Sequence, residues 1–276
     1  MLVIKQKGLQ LAGLFDLMGW HTLYIEQLRS ILPQISFAYL CIQFVNQLIV
    51  YINFVEMKWW KLLTLILLAY TFVGGFLMDV PRLAILNETV RNLYFHVPMW
   101  FGMILLLTAS IYYSVRYLRH SNPEDDLKAV ESANMGIVFG CLGMVSGMIW
   151  AKFTWGAYWS GDPKQNAAAV GLLIYFAYLV LRGLFEDETQ RNRISAIYNI
   201  FAYAAFLPLI FVLPRLTDSL HPGNGGNPGF NAYDLDSKLR LVFYPSVIAW
   251  TMLGAWIVSL RVRMRLIDEK ITDMDV

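Results

Sequence analysis

The chain has few charged side chains, and this shortage indicates its class. Only 15% of its 276 residues are Asp, Glu, Lys or Arg, whereas about 25% is usual for a soluble domain. Hydrophobic residues reach 57% and the mean hydropathy is +0.49. This composition excludes both an ordinary soluble protein and a disordered chain. The net charge of +2 is too small to favour nucleic-acid binding.

Cysteine is also scarce. The two cysteines, Cys41 and Cys141, each lie inside an uncharged apolar run. The sequence contains no CxxC, no CxxCH and no zinc-ligand spacing. Neither a disulfide framework nor a thiol metal site is therefore indicated.

The sequence contains seven long stretches without any charged residue. Each is 17 to 26 residues long, and a membrane-spanning helix needs about 20 apolar residues. Backbone polar groups must bond internally in lipid, which favours helices. The fold class predicted is an all-α, polytopic membrane helical bundle, with six confident spans and one uncertain N-terminal segment. The runs are Ser30–Val55, Leu62–Met78, Asn92–Val115, Ser132–Ala151, Gln165–Leu181, Ile194–Pro214 and Leu241–Leu260.

Residues 1–56 are set apart from residues 57–276. Ser30–Val55 is long enough to span a membrane, but five Asn and Gln side chains weaken it. Met57-Lys58-Trp59-Trp60-Lys61 has the basic head and interfacial aromatic pair with which a membrane protein typically begins. We expect residues 1–56 to be an extra interfacial or spanning helix or, the favoured alternative, a mis-assigned start. Residues 57–276 form the membrane domain, with a Trp-rich external loop at 150–165.

The distribution of Lys and Arg predicts the orientation. Twelve of these residues flank one side of the six spans and seven flank the other. Because basic residues are retained on the cytoplasmic side, both ends of the six-span core are expected there. His96, the loop at 150–165 and His221 then share the external face.

The Trp-rich loop has two interpretations. It contains Trp155-Gly156-Ala-Tyr158-Trp159-Ser-Gly-Asp162. Composition alone favours an interfacial belt, because Trp and Tyr are enriched where membrane meets water. Aromatic faces separated by glycines can alternatively offer a flat surface to a planar apolar ligand. Asp162 could cap the helix that follows.

Two of the four histidines stand beside residues that break a helix. His96 is followed by Val97-Pro98, and His221 by Pro222-Gly223. A lone histidine at an interface is more often structural, but two imidazoles from separate segments could bind a metal from opposite faces. Neutral imidazole is an axial ligand of haem iron, and a planar ligand with two imidazoles suggests haem. His21 and His120 lack this context.

These motifs together resemble a known family. Trp155 to Asp162 resembles the WGxxWxWD signature of the proteins that handle haem in cytochrome c maturation. Asn92-Leu-Tyr-Phe-His96-Val-Pro98 and His221-Pro-Gly223 resemble the two histidine segments of CcmC, the haem exporter protein C family. The resemblance covers about residues 57–265. The chain departs from the pattern where Gly161 replaces a family tryptophan.

The resemblance implies a role for each matching residue. His96 and His221 would be axial ligands of haem b, held non-covalently and transiently on the periplasmic side of the inner membrane. Trp155, Gly156, Tyr158, Trp159 and Asp162 would hold the haem edge. The protein would deliver haem to a CcmE-like chaperone, possible further partners being a CcmA/CcmB transporter and a small CcmD-like subunit. This is an assembly and transport role rather than an enzyme, and a lyase-like part in attaching haem to the chaperone stays open.

Three alternatives stay beside this interpretation. Asp162-Pro163-Lys164 resembles the CcsA haem proteins of the other maturation system, whereas the His-Val-Pro segment favours CcmC. A membrane b-type electron carrier would place histidines near the centres of spans, which this sequence does not do. A small-molecule transporter usually carries charged residues within its spans, and the six runs contain none.

Overall fold

The computed structural model describes residues 58–83, 85–222 and 235–275. The expectations for residues 1–56, and for the glycine-rich stretch that begins at Gly223, lie outside this part of the chain. Within it, every regular element is helical, which confirms the all-α fold class.

Among the described residues, six helices are long and apolar enough to cross a membrane, as the six confident charge-free runs predicted. The fifth continues beyond its α-helical part through a π turn at Pro208–Val212 and a 3₁₀ turn at Leu213–Arg215. A 3₁₀ turn at Asn87–Asn92 leads into the second. The helices are α1 Trp59–Leu77, α2 Leu93–His120, α3 Pro123–Trp155, α4 Pro163–Gly183, α5 Glu188–Leu207 and α6 Ser237–Asp275.

Local sequence explains where three helices begin. Asn122, Asp162 and Asp187 each accept a hydrogen bond from a backbone N–H in the first turn of the helix that follows. These short polar side chains are preferred at that position because they satisfy one of the N–H groups left unpaired at a helix start. Proline follows Asn122 and Asp162, where its missing N–H costs nothing.

The centre of the bundle is packed from four helices. Met103, Phe139, Tyr175 and Phe206, from α2, α3, α4 and α5 respectively, are all 2% exposed or less. Glycines on α3 allow α2 to approach closely: a Cβ at Gly136 would lie 2.9 Å from Leu107. Small residues at helix contacts are the usual means of close packing within membranes.

The two ends of the bundle differ in chemistry. At one end, α2 begins, α3 ends and α6 begins around a cavity; we call this the cavity end. At the opposite end, α3 begins well before its charge-free run and α6 continues past Leu260. Buried carboxylates pair there with arginines: Asp126 with Arg182, and Glu131 with Arg261.

Candidate functional site

A cavity of about 320 Å³ opens at the cavity end of the bundle. Its wall is mainly apolar and includes Phe101, Ile104, Met144 and Ile210. His96 and His221 both line it, although they are far apart in the sequence. A volume above about 300 Å³ with an apolar wall and few polar groups is typical of a small-molecule or cofactor site.

His96 is held against α3 from the first turns of α2. Its Nδ1 lies 2.9 Å from the carbonyl oxygen of Gly143 and 3.2 Å from the hydroxyl of Ser146. Because a carbonyl oxygen only accepts, Nδ1 carries the proton and donates it. Nε2 then keeps its lone pair, which is the state in which an imidazole binds a metal. The neighbouring Pro98 lies inside α2 and lacks the N–H that would bond to the preceding turn.

The fit between His96 and α3 depends on a glycine. A Cβ at Gly147 would lie only 2.5 Å from Cε1 of the His96 ring. Two tryptophans flank the same ring edge-on, with centroid distances of 6.4 Å for Trp100 and 5.8 Å for Trp150. The Trp150 Nε1–H donates to the Thr89 hydroxyl at 3.2 Å, which ties α3 to the 3₁₀ turn before α2. The imidazole is thus restrained on several sides.

His221 is held by a carboxylate. Its Nδ1 lies 2.9 Å from Oδ1 of Asp162, the residue that caps α4. Since the carboxylate accepts, Nδ1 is again the donor and Nε2 keeps its lone pair. Asp162 is only 5% exposed, and it also accepts from the Leu220 N–H at 2.7 Å and from the Ser219 hydroxyl. The chain after α5 is thereby folded back onto the start of α4.

The protonation states follow from this environment. Burial lowers the pKa of His221 below its ordinary value, and Asp162 only partly opposes that effect. Burial alone would raise the pKa of Asp162, but the hydrogen bond from Leu220 and the proximity of His221 hold it below its usual range. At neutral pH the pair is a neutral imidazole donating to a carboxylate.

The loop residues predicted from the sequence fall into two groups. The Trp155 ring contacts His221 edge-on, with a centroid distance of 4.7 Å. Asp162 lies beside His221, as described above. Tyr158 and Trp159 are 55% and 42% exposed and do not line the cavity. Gly156 ends α3 with a φ of +84°.

Gly161 has a positive φ of +73°, a conformation that favours glycine over any residue with a side chain. A tryptophan at this position, as in the signature that the loop resembles, would require a different backbone. The loop is instead ordered by amides. The Gln165 side chain accepts from the Ser160 N–H at 3.0 Å, and Asn166 donates to the Gly161 carbonyl at 3.0 Å.

Sequence reasoning missed several residues of the site. Trp100 follows His96 by one helical turn, a spacing that places both on the same side of α2. Gly143 and Gly147 continue the glycine spacing of α3. The sequence therefore contained a signal for all three residues. Lys164 and Arg215 line the cavity and bring positive charge to a mainly apolar wall. The Lys164 ammonium also donates to the Pro222 carbonyl beside His221. Nothing in the local sequence of Arg215 predicted its place, because it depends on how α5 ends.

The arrangement suits a metal that arrives with most of its ligands already bound. Two imidazoles leave much of a transition metal's coordination sphere unfilled, since even zinc takes four ligands. Each imidazole here has its Nδ1–H on an oxygen acceptor, which fixes the tautomer and ring orientation of metal-binding histidines. Apolar walls, flanking indoles and two cationic side chains complete a site suited to a largely apolar, anionic metal complex.

Comparison with known proteins gives a family match over most of the chain. The profile of the family described as Heme exporter protein C matches residues 42–276. The match begins before residue 57, from which the resemblance in the sequence was traced. It includes both histidine segments and the Trp-rich loop.

Individual relatives carry the name of this family or that of CcsA. Heme exporter protein C of Bradyrhizobium diazoefficiens is 27% identical over 169 residues, covering 60% of this chain and 63% of the relative. The protein of that name from Haemophilus influenzae is 24% identical over 207 residues, covering 75% and 83%. Cytochrome c biogenesis protein CcsA of Pelargonium hortorum is 34% identical, but over only 93 residues, 33% of this chain and 29% of the relative. The chain thus spans less than two thirds of the length of the Bradyrhizobium and Pelargonium relatives.

Proposed function

This chain belongs to the Heme exporter protein C family, and on that premise we propose that it holds haem between His96 and His221 and delivers it to a haem chaperone. One observation supports this most directly. Two imidazoles from distant segments line one cavity, and each has its Nδ1–H bonded to an oxygen. Their Nε2 atoms are therefore the atoms that would bind the iron.

The remaining residues have separate tasks in this proposal. Apolar residues of α2 and α3 exclude water from the macrocycle, and Trp100 and Trp150 restrain His96. Lys164 and Arg215 would pair with the carboxylates of haem at the cavity wall. Trp155 would restrain His221, while the exposed Tyr158 and Trp159 would meet the haem edge or the chaperone.

Haem is cargo rather than a resident cofactor in this role. With no CxxCH in the sequence, the chain is expected to bind haem b without covalent attachment and to release it. The acceptor would be a CcmE-like chaperone, with a CcmA/CcmB transporter and a CcmD-like subunit as further partners. We assign no turnover of a substrate to the protein.

The excess of Lys and Arg at the opposite end of the bundle supports an orientation in the inner membrane. The cavity end would face the periplasm, and both ends of the six-span core would face the cytoplasm. Haem delivered at that face would then be accessible to a periplasmic chaperone.

The test is the visible absorption spectrum of the detergent-purified protein with added haem. We expect a Soret band that weakens or shifts in both His96→Ala and His221→Ala. His120→Ala is the matched control, because His120 lies at the other end of α2. An unchanged band in either of the first two variants would contradict axial ligation by that residue.

A second candidate is the role of a CcsA-type protein in the other maturation system. The local identity to the Pelargonium protein favours it, as does the Asp162-Pro163-Lys164 sequence. Both roles use the same haem site and differ in the maturation proteins with which the chain works. Co-purification from cells that carry one system or the other separates the two roles. Capture of a CcmE-like chaperone supports the first role. Capture of CcsA-system proteins without such a chaperone supports the second.

A further inference from the structure

The last part of α6 carries a row of exposed apolar side chains. Leu260 is 42% exposed, and the four that follow are 48% to 76% exposed. They recur at alternating intervals of four and three residues, which is the spacing of the a and d positions of a coiled-coil heptad. The other members of the row are Met264, Ile267, Ile271 and Met274. We call these five residues the apolar row.

Other sides of the same helix are already occupied. Val262 is 7% exposed and packs with Leu127 and Val130 of α3. Arg261 and Arg265 both pair with the buried carboxylate of Glu131. The helix is therefore fixed to the bundle by these sides, which leaves the apolar row turned outward.

Lipid is a poor partner for this row. Met264 to Met274 lie beyond the charge-free run that ends at Leu260, and they alternate with Arg263, Asp268 and further charged residues. Charged side chains are unfavourable within a bilayer, so this mixed stretch is poorly suited to lipid. A second helix fits the alternation of apolar and charged positions better.

The charges beside the row identify that helix. With Met264 and Ile271 at position a, Arg263 occupies position g and Asp268 position e. In a parallel pair these positions face each other across the seam, so Arg263 of one chain would meet Asp268 of an identical chain, and the reverse. Among the described residues, no ion pair within the chain involves either side chain; the Arg263 guanidinium donates only to the Ser259 carbonyl at 3.3 Å.

The membrane imposes the parallel arrangement. Two copies inserted in the same orientation extend their α6 helices in the same direction from the same face. We infer that the apolar row is a self-association surface, on which a second copy of this chain docks its own apolar row as a parallel coiled coil. A seam of about two heptads is marginal as an isolated peptide, but confinement in one bilayer raises the effective concentration of the partner helix.

Cysteine cross-linking in native membranes tests this inference. In the full chain with Cys41→Ser and Cys141→Ser, Ile267→Cys places a thiol at position d, on the seam. Glu269→Cys places one at position f, which faces away from the seam, and is the matched control. Mild oxidation is expected to give several-fold more disulfide-linked dimer for Ile267→Cys than for Glu269→Cys.

Charge reversal tests the register. Asp268→Arg should reduce the Ile267→Cys dimer because it places like charges across the seam. Adding Arg263→Glu to this variant should restore the dimer, because a glutamate at position 263 of one chain would then face an arginine at position 268 of the other. Recovery of this kind would not follow from a general loss of folding.

Several outcomes would overturn the inference. Equal dimer for the seam and control cysteines would indicate random collision. A cross-link to a different, smaller protein would assign the row to another partner. Failure of the charge reversal to change the yield would exclude the parallel register. None of these measurements depends on haem, so they are independent of the proposed function.

Discussion

Oδ1 of Asp162 lies 2.9 Å from Nδ1 of His221, so one buried carboxylate both caps α4 and orients an imidazole of the cavity. The two residues are far apart in the sequence and belong to different loops at the cavity end. The contact links the Trp-rich loop to the segment after α5. It makes the position of His221 dependent on a residue that does not line the cavity.

Removing the charge of Asp162 should weaken haem binding. Asn is as good a helix cap as Asp, so Asp162→Asn is expected to retain α4 while disturbing the tautomer and orientation of His221. Loss of such a supporting group typically costs about 10–100-fold in metal affinity, and we expect a loss of that size in a Soret titration. Asp187→Asn, the same change at the cap of α5, is the control and should bind like the wild type. Equal affinities in the two variants would contradict a role for Asp162 in holding His221.

Filling the space at Gly147 should displace His96. A Cβ there would lie 2.5 Å from the ring, closer than atoms can approach, so the imidazole must move. Gly147→Ala is expected to lower haem affinity and shift the Soret band. Gly183→Ala is the control, because a Cβ at Gly183 meets no atom within 4 Å. A normal spectrum for Gly147→Ala would show that His96 is not the ligand in this orientation.

Haem retention should resist mild acid. A proton competes with iron for the imidazole, so retention falls as pH drops through the pKa of the ligand. Burial lowers the pKa of His221, which places the loss below the ordinary imidazole value of about 6.5. Soret absorbance followed from pH 8 downward should therefore hold to about that value before it declines. A midpoint above it would contradict a buried imidazole at this position.

Removing the two arginines that pair with Glu131 should destabilise the protein more than removing the charge of Glu131 itself. Glu131 is fully buried, and Arg261 and Arg265 are 45% and 55% exposed. Replacing both arginines by Gln leaves an unpaired buried carboxylate, a change that typically costs about 3–5 kcal/mol. Glu131→Gln leaves two arginines that can turn to water, and it should cost less. Thermal unfolding in detergent should rank the double variant below Glu131→Gln, and the reverse order would contradict this argument.

The orientation in the membrane can be tested by labelling. In a chain with Cys41→Ser and Cys141→Ser, Ser160→Cys lies in the Trp-rich loop and Ser121→Cys lies in the turn between α2 and α3; both positions are exposed. An impermeant maleimide added to intact cells with a permeable outer membrane should label Ser160→Cys alone. After lysis it should label both. Labelling of Ser121→Cys alone in intact cells would indicate the opposite orientation.

Much of the site was predictable because short motifs carry it. His96 with Val97-Pro98 and His221 with Pro222 stood out by their neighbours, and both line the cavity. Tyr158 and Trp159 came from the same loop motif but lie exposed in the loop that follows the end of α3 at Gly156. Trp100 was missed although it follows His96 by one helical turn, whereas Arg215 carried no signal, since a lone cation after a span is common.

The sequence by itself determined that the described part of the chain contains six helices long and apolar enough to cross a membrane. Charge-free runs of sufficient length leave few other structures possible, because lipid offers no partner for the backbone polar groups. Tertiary structure alone decided which side chains meet: Asp162 with His221, Gly147 with His96, and Glu131 with two arginines of α6. Such contacts join segments far apart in the chain. They depend on the rotation and ends of packed helices, which hydropathy and spacing do not specify.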